Sequence, residues 1–290
     1  MPELPEVETV RRGLHELIIG RVIKEVVHDT PKSFPNAPTD VKRFLIDAKV
    51  INVRRRAKVL MIDLSTDYTL VIHLKMTGQL VFRATNVAFG AGHPNDSLIG
   101  ELPDKSTRVT VTFADSSRLY FNDQRKFGWV KLIPTIEVPN IDFMKKVGPE
   151  PLEADFTPEQ FAARFTRRAK SPIKAALLDQ TVIAGVGNIY ADESLWGAKI
   201  HPLRLVGTIT PAEFKKLYSE LRAVMNLAIE KGGSTDKNYV NAEGKKGSYM
   251  DFARVFRREG KPCPRCGTII IKFRAAGRGT HICPHCQVLE

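Results

Sequence analysis

Residues 263–286 read CPRCGTIIIKFRAAGRGTHICPHC and hold all four cysteines of the 290-residue chain. The pattern is Cys263-x₂-Cys266-x₁₆-Cys283-x₂-Cys286. Two tight turns, each offering two thiolates to one metal, match the spacing of a tetrahedral Cys₄ zinc site. Two disulfides or four free thiols are the alternatives, and a reducing cytosol disfavours the disulfides. Four thiolates leave no open coordination position, so a zinc held here is structural. Between the cysteine pairs stand Lys272, Arg274 and Arg278, the last flanked by glycines. A basic hairpin of this kind suits contact with nucleic acid; a solvated basic surface is the ordinary alternative.

The surrounding charge favours the first reading. The chain carries a formal charge of +12, and residues 231–290 hold 12 Lys/Arg against 5 Asp/Glu, so +7 lies in the last 60 residues. Such a balance points to a polyanion, nucleic acid before a membrane surface. Charged residues at 26% and hydrophobic ones at 43% are ordinary for a soluble chain. No apolar run reaches the ~18 residues of a membrane span. The acidic N-terminus does not read as a signal peptide, so a cytoplasmic protein is expected.

Upstream of the cysteines the chain reads as helices, at 158–168, 172–180, 188–197 and 211–231. Thr210 followed by Pro211 is a helix start, and Phe214, Leu217, Leu221 and Val224 form the apolar stripe behind it. Gly185 and Gly187 interrupt two of these helices, with Asn188 where an N-cap is expected. A helix start of this kind attracts phosphate, and Lys174 on the preceding helix could reach the same group. Simple helix punctuation would explain the glycines equally well. Residues 232–250 are polar and glycine-rich, and read as a loop.

The first ~130 residues read differently. Segments 21–28, 49–64, 68–74, 108–113 and 117–121 are β-branched or aromatic runs separated by turn residues, which predicts a mostly β unit built as a sandwich. DVKRFLIDA (40–48) is the clearest helix signal among them. Residues 84–106 read as a long surface insertion. Lys58 shares a strand face with Arg54 and Arg56 by the period of two; that face could follow a phosphate backbone, or be an ordinary solvated basic face. Met76 in HLKMTG and Phe127 in FNDQRKFG are apolar residues on basic turns. Such tips can enter a base stack as wedges, although burial in a core would explain them too.

At the other end of the chain stands MPELPEVETVRRGL (1–14). Removal of Met1 would leave Pro2 as a free secondary amine beside Glu3. An α-amino group titrates near ~7.7–8.0, so much of it is unprotonated at neutral pH and able to attack carbon. Pro5 and Glu6 suit the first turn of a helix carrying Val7, Val10, Leu14 and Leu17. An ordinary capped helix is the plain alternative.

PELPEVETVRRGL, HLKMTG, NDQRKFG, GVGNIYADESL and the Cys₄ segment, in this order, resemble formamidopyrimidine-DNA glycosylases over nearly the full chain. The resemblance implies an α+β multi-domain fold. An N-terminal β-sandwich with flanking helices (1–133) is followed by a linker (134–155). Next come a helix–two-turn–helix domain with a lesion-capping loop (156–250, loop 232–250) and a Cys₄ zinc-finger β-hairpin (251–290). It implies one structural zinc ion, no organic cofactor, and a monomer acting on double-stranded DNA that contains oxidised purines or abasic sites.

By the same resemblance Pro2 is the nucleophile that forms a Schiff base at C1′ of a flipped-out nucleotide, with Glu3 as its acid/base partner. Glu6 lies near the lesion, Lys58 serves β-elimination, and Arg278 grips phosphate and serves δ-elimination. Arg168, Lys174 and Asn188 contact phosphates, while Met76, Arg125 and Phe127 fill the gap left by the flipped base, Arg125 reading the orphaned cytosine. The sequence departs from the family's His-x-His pair, with Ser106 and Arg108 in those positions; Arg108 could still reach a phosphate. Two rival readings remain: an endonuclease VIII-type glycosylase for oxidised pyrimidines, and a catalytically silent DNA-binding homologue.

Overall fold

The structure, a computed structural model, describes residues 1–93, 95–234 and 248–289. The chain divides into two compact units, residues 1–145 with 231–248 and residues 146–230 with 249–290.

The first unit opens with α1 (Leu4–Ile18). Pro5 falls in its first turn, where no N–H is required. Leu4, Val7, Val10, Leu14 and Ile18 are buried; Leu17, expected on this stripe, is only partly buried. The helix packs on two antiparallel sheets. One has the order β1-β7-β8-β5-β6, comprising Ile23–His28, Thr107–Phe113, Arg118–Asp123, Gly78–Arg83 and Ala88–Gly92. The other runs β2-β3-β4-β9, comprising Val50–Arg56, Val59–Leu64, Tyr68–His73 and Trp129–Pro134. Val53, Leu60 and Ile72 of the second sheet share one core with Phe82, Val109 and Phe121 of the first and with Val10 and Leu14 of α1.

The segment VLMIDL is continuously apolar up to Asp63 because β3 is covered on both faces. Val59 and Met61 point away from the main core into a smaller cluster with Val71 and Val138, edged by Trp129 and Phe143. The short α2 (Pro38–Phe44) is pinned by Phe44, which stacks on Tyr68 at 4.0 Å between ring centroids. A further short helix, α3 (Asp142–Lys146), lies where the units divide.

Two expectations are corrected in this unit. Residues 84–106 are not a surface insertion: β6 within them completes the five-stranded sheet, and Phe89, Ala91 and Leu98 are buried. Phe89 lies against Gly13 of α1, where an added Cβ would come within 2.3 Å of its ring. Nor does Lys58 share a strand face with Arg54 and Arg56. β2 ends at Arg56, and Ala57, at φ +51°, turns the chain so that Lys58 sits in the connection to β3.

The second unit contains α4 (Pro158–Ala163), α5 (Ile173–Leu178), α6 (Asn188–Ala198), α7 (Pro211–Glu230) and a hairpin of β10 (Ile271–Ala275) and β11 (Arg278–Ile282). The longest helix starts as expected: Glu213 N–H donates to Thr210 Oγ1, and Thr210 N–H donates to Glu213 Oε2 at 2.8 Å. Tyr190 through Ala198 of α6 are all buried, as befits a helix surrounded by neighbours. Its Glu193 is buried yet well satisfied. It accepts N–H bonds from Arg254, Val255 and Phe256 and the hydroxyl of Tyr249, fixing the chain that leads into the cysteines. Burial raises its carboxyl above the usual range even so. No described helix is long and apolar enough to cross a membrane.

Candidate active site and nucleic-acid contacts

Met1 is 42% exposed, while Pro2, Glu3 and Glu6 are buried. Glu3 is the N-cap of α1, and its backbone N–H donates to Glu6 Oε2 at 2.7 Å. Two carboxylates at a helix start are held there by orphan N–H groups and the positive end of the helix dipole. The other oxygen of Glu6 accepts the N–H of Ser234 at 2.8 Å, next to Gly233 at φ +89°. A Cβ at Gly233 would sit 3.2 Å from Glu6 Cγ, so only glycine brings the backbone this close without strain. The chain entering the expected lesion-capping loop is thus tied to the helix that follows Pro2. Most of that loop, residues 235–247, lies outside the described residues.

Lys58 is buried, in the turn that leads into Val59, and Val59 pairs with His73 across the sheet. The charge of Lys58 reaches the buried His73 ring. Burial first, then the charges of Lys75 and Lys58, push His73 down to about 3, so it is a neutral imidazole at physiological pH. Its Nδ1 accepts the N–H of Lys75. Nothing in the residue pattern singled out His73, although it opens the quoted HLKMTG segment. Arg54, expected to follow a phosphate backbone, is instead paired with Asp63 through two hydrogen bonds of 2.7 and 3.1 Å.

The two turns expected to carry wedges adjoin the same sheets. Lys75 and Lys126 adopt positive φ, at +51° and +56°. Phe127 is 47% exposed, Met76 is half-buried, and the Arg125 guanidinium lies over the Phe127 ring at 4.8 Å. Arg108 does not stand where it could grip a phosphate. It is 7% exposed and donates to Asp29 Oδ2, the Asp123 carbonyl and the Lys105 carbonyl. Its neighbour Ser106 is buried and donates to Asp104 Oδ1 at 2.6 Å. A short hydroxyl and an inward-facing guanidinium stand at these two positions, and both serve the sheet.

In the second unit Lys174 is fully buried, ion-paired with Asp192 at 2.6 Å and bonded to Thr280 Oγ1 at 2.7 Å. This corrects its expected role as a phosphate ligand, because the ammonium is committed inside the fold. Asn188 is the first residue of α6, and Gly187, in extended conformation, is the N-cap. The Asn188 amide donates to the Gly279 carbonyl at 2.9 Å, one residue beyond Arg278. Asp192 Oδ2 accepts the His281 N–H at 3.0 Å. Three successive hairpin residues, Gly279 to His281, are therefore registered against α5 and α6. Arg278 itself is exposed at the start of β11, with Lys272 and Arg274 exposed on β10. Arg168 is paired with Asp179.

The four cysteine Sγ atoms lie within 4.8 Å of one another and form no disulfide. Closest separations are 3.4 Å for Cys266–Cys283, 3.5 Å for Cys266–Cys286 and 4.0 Å for Cys263–Cys286. Tetrahedral zinc with Zn–S bonds of ~2.3 Å sets sulfurs about 3.8 Å apart, so the donor set fits one structural zinc. Cys263 and Cys283 pack with Trp196 of α6, and Gln287 bridges the Cys283 N–H to the Ile200 carbonyl.

A β-sandwich bearing a buried proline–glutamate helix start, a glycine-broken helix pair and a Cys₄ hairpin together define a class of zinc-finger, helix–two-turn–helix proteins. Comparison with known proteins agrees in every part. Residues 1–130 match the formamidopyrimidine-DNA glycosylase N-terminal domain. Residues 147–239 match the formamidopyrimidine-DNA glycosylase H2TH domain, and residues 260–288 match a zinc finger found in FPG and IleRS. The formamidopyrimidine-DNA glycosylase of Pelotomaculum thermopropionicum is 42% identical over 291 residues, covering 100% of both chains. That of Pediococcus pentosaceus is 43% identical over 290 residues, again with 100% of both covered. Among solved structures, Lactococcus lactis Fpg in complex with an abasic site containing DNA superposes with a TM-score of 0.86. It is 35% identical, covering 99% of this chain and 99% of that one. The Thermus thermophilus FPG structure gives 0.83 at 37% identity, with 100% of both covered. The chain belongs to the formamidopyrimidine-DNA glycosylase family.

Proposed function

We propose that the chain is a base-excision repair DNA glycosylase and AP lyase that removes oxidised purines from duplex DNA through the amine of Pro2. The observation that carries this reading is the N-terminal arrangement: Pro2 beside the buried Glu3 and Glu6 at the start of α1, in a chain matched over its whole length by glycosylases. After Met1 is removed, the Pro2 nitrogen attacks C1′ of a flipped-out nucleotide. The bond from C1′ to the base breaks, the base leaves with a proton, and the sugar stays on Pro2 as an iminium. Glu3 is positioned to protonate the ring oxygen as the sugar opens. Lys58, buried in the turn ahead of β3, then takes the proton lost in β-elimination. Arg278 assists the second elimination, leaving a one-nucleotide gap.

In this reading residues 1–133 are the catalytic part and 134–155 the linker. Residues 156–250 and the finger of 251–290 grip the duplex through phosphate contacts from Arg168, Asn188 and Arg278. Lys174 supports the grip from inside. Met76, Arg125 and Phe127 occupy the gap in the stack, and the loop of 232–250 covers the extruded base. The enzyme works as a monomer in the bacterial cytoplasm, where its DNA lies.

Borohydride trapping on an 8-oxoguanine duplex tests the nucleophile. A covalent adduct should form, weaken in Pro2→Gly, which exchanges the secondary amine for a primary one, and vanish when Met1 is retained; an adduct that survives retention of Met1 moves the nucleophile elsewhere. Lactococcus lactis FPG has also been solved with DNA containing an oxidised pyrimidine. Thymine glycol is therefore the natural competitor, and its faster excision would overturn the purine assignment.

A further inference from the structure

Asp123 is the last residue of β8 and is fully buried. Its carboxylate gathers four donors from two separate turns. Oδ2 accepts the N–H of Phe127 at 2.8 Å and of Gly128 at 2.6 Å. Oδ1 accepts the N–H of Arg125 at 3.2 Å and, through a short bond, the hydroxyl of Thr77. Thr77 also accepts the Arg125 N–H at 3.1 Å. Met76 immediately precedes Thr77, so all three wedge residues hang from one carboxylate. An aspartate meets this geometry because it is acceptor-only on both oxygens and can take about four bonds. An asparagine cannot, since one arm becomes a donor facing donors.

The packing leaves the Arg125–Phe127 turn little other means of support. Phe127 is half exposed and Arg125 is exposed, so neither is held by a core. Lys126, between them, sits at φ +56°, a conformation unfavourable for a side chain larger than glycine unless its neighbours enforce it. Space is also closed. A Cβ on Gly128 would lie 2.7 Å from Phe121, 2.9 Å from the His73 carbonyl and 3.1 Å from Asp123 Oδ2. The turn therefore cannot slide past the carboxylate that holds it.

We infer that Asp123 is a positioning residue that locks the Met76 and Arg125–Phe127 turns into a single wedge, so that reading the opposite base and filling the stack occur together. The inference rests on the proposed gap-filling role of Met76, Arg125 and Phe127. The carboxylate touches no reacting atom; it acts through the backbone of the residues that enter the duplex.

The test compares Asp123→Asn and Thr77→Val with Arg125→Ala and Phe127→Ala. Single-turnover excision of 8-oxoguanine is measured opposite C and opposite A, and borohydride trapping is measured at a preformed abasic site in a single strand, which needs no wedge. Thermal unfolding is followed for each variant. Asp123→Asn should slow excision opposite C by about tenfold or more, the worth of one lost charge-assisted hydrogen bond, and should shrink the C-to-A ratio. Trapping on the single strand should stay within about threefold of wild type, as expected where no stack must be filled. Thr77→Val, which removes a single bond and keeps the side-chain shape, should act in the same direction and more weakly. If Arg125→Ala or Phe127→Ala changes the C-to-A ratio while Asp123→Asn and Thr77→Val do not, the inference falls and the wedge reading stands. If none of the four changes it, the wedge reading falls and takes the inference with it. Equal losses on duplex and single strand in folded Asp123→Asn and Thr77→Val would reduce Asp123 to a structural residue and overturn the inference.

Discussion

His73 shows how a residue can be tuned by place alone. In the unfolded chain its imidazole takes up a proton near ~6.5, whereas in the fold it does so only near 3, because it is buried and faces Lys75 and Lys58. Its folded pKa is depressed, so stability is complete above the unfolded value and is lost as pH falls from about 6.5 towards 3. At pH 5 the loss amounts to about 2 kcal/mol. Urea unfolding of wild type and His73→Asn at pH 7.5 and 5 should show a smaller acid loss in the variant; equal losses would mean that the ring titrates normally. The buried cations follow a related logic. Removing the charge of Lys174 leaves Asp192 buried without its ion partner, so Lys174→Met should destabilise by about 3–5 kcal/mol. Its effect on the salt dependence of DNA binding should be nil. Arg278→Ala should instead lower the slope of log K against log salt by about 0.9, the release of one phosphate's counterions, with little change in melting temperature. Fluorescence titrations at several salt concentrations separate the two. The helix start behind Pro2 and Glu3 and the basic hairpin around Arg278 are legible in the sequence, because neighbours in sequence define them. The fates of Lys174 and Arg108 are not, since their partners Asp192, Thr280, Asp29 and Asp123 come from distant segments.

At the scale of elements, pattern served long segments and failed on short ones rich in glycine. The period of α7 and the β-branched and aromatic runs of β1, β7 and β8 are readable in the residues. β6, AFGAG, is not: its glycines and alanines carry no strand signal, and it gains strand character only by pairing with β5. Glycine is required at its end, since Gly92 stands at φ +124° and a Cβ there would lie 2.6 Å from the Gly78 carbonyl. The outcome is a strand that clamps α1 through Phe89. Gly13→Ala, which helix propensity alone would favour by about 1 kcal/mol, should therefore destabilise the protein by about 1–3 kcal/mol through overpacking against that ring. A urea midpoint equal to or above wild type would show that the contact yields easily. Lys58 was misplaced for a related reason. Its segment reads as one long strand, and only the positive φ of Ala57 breaks it into two.

For the molecule as a whole, the two units are stabilised by different means. The first has a broad core shared by two sheets and α1. The hairpin end of the second has a small cluster around Trp196 and the cysteines, too little apolar surface to order it without a metal. Chelating zinc should therefore unfold the hairpin and abolish DNA binding while the β signal of the first unit survives in circular dichroism. Loss of both signals together would mean that the first unit depends on the metal as well. Thiols must shed protons to bind zinc, so retention of the metal should weaken as pH is lowered, measurable by zinc release to a chromogenic chelator.

The N-terminus has a practical corollary for anyone preparing the protein. Met1 projects outward while Pro2 is buried behind it, so the first residue is the one an aminopeptidase can reach. A purification handle fused ahead of Met1 would keep the proline nitrogen acylated and, under the proposed role of Pro2, should yield material that binds DNA yet forms no adduct. Affinity tags belong at the opposite end, where Val288 and Leu289 are exposed. Intact mass, showing whether methionine has been clipped, then reports the fraction of each preparation that the proposed nucleophile makes competent.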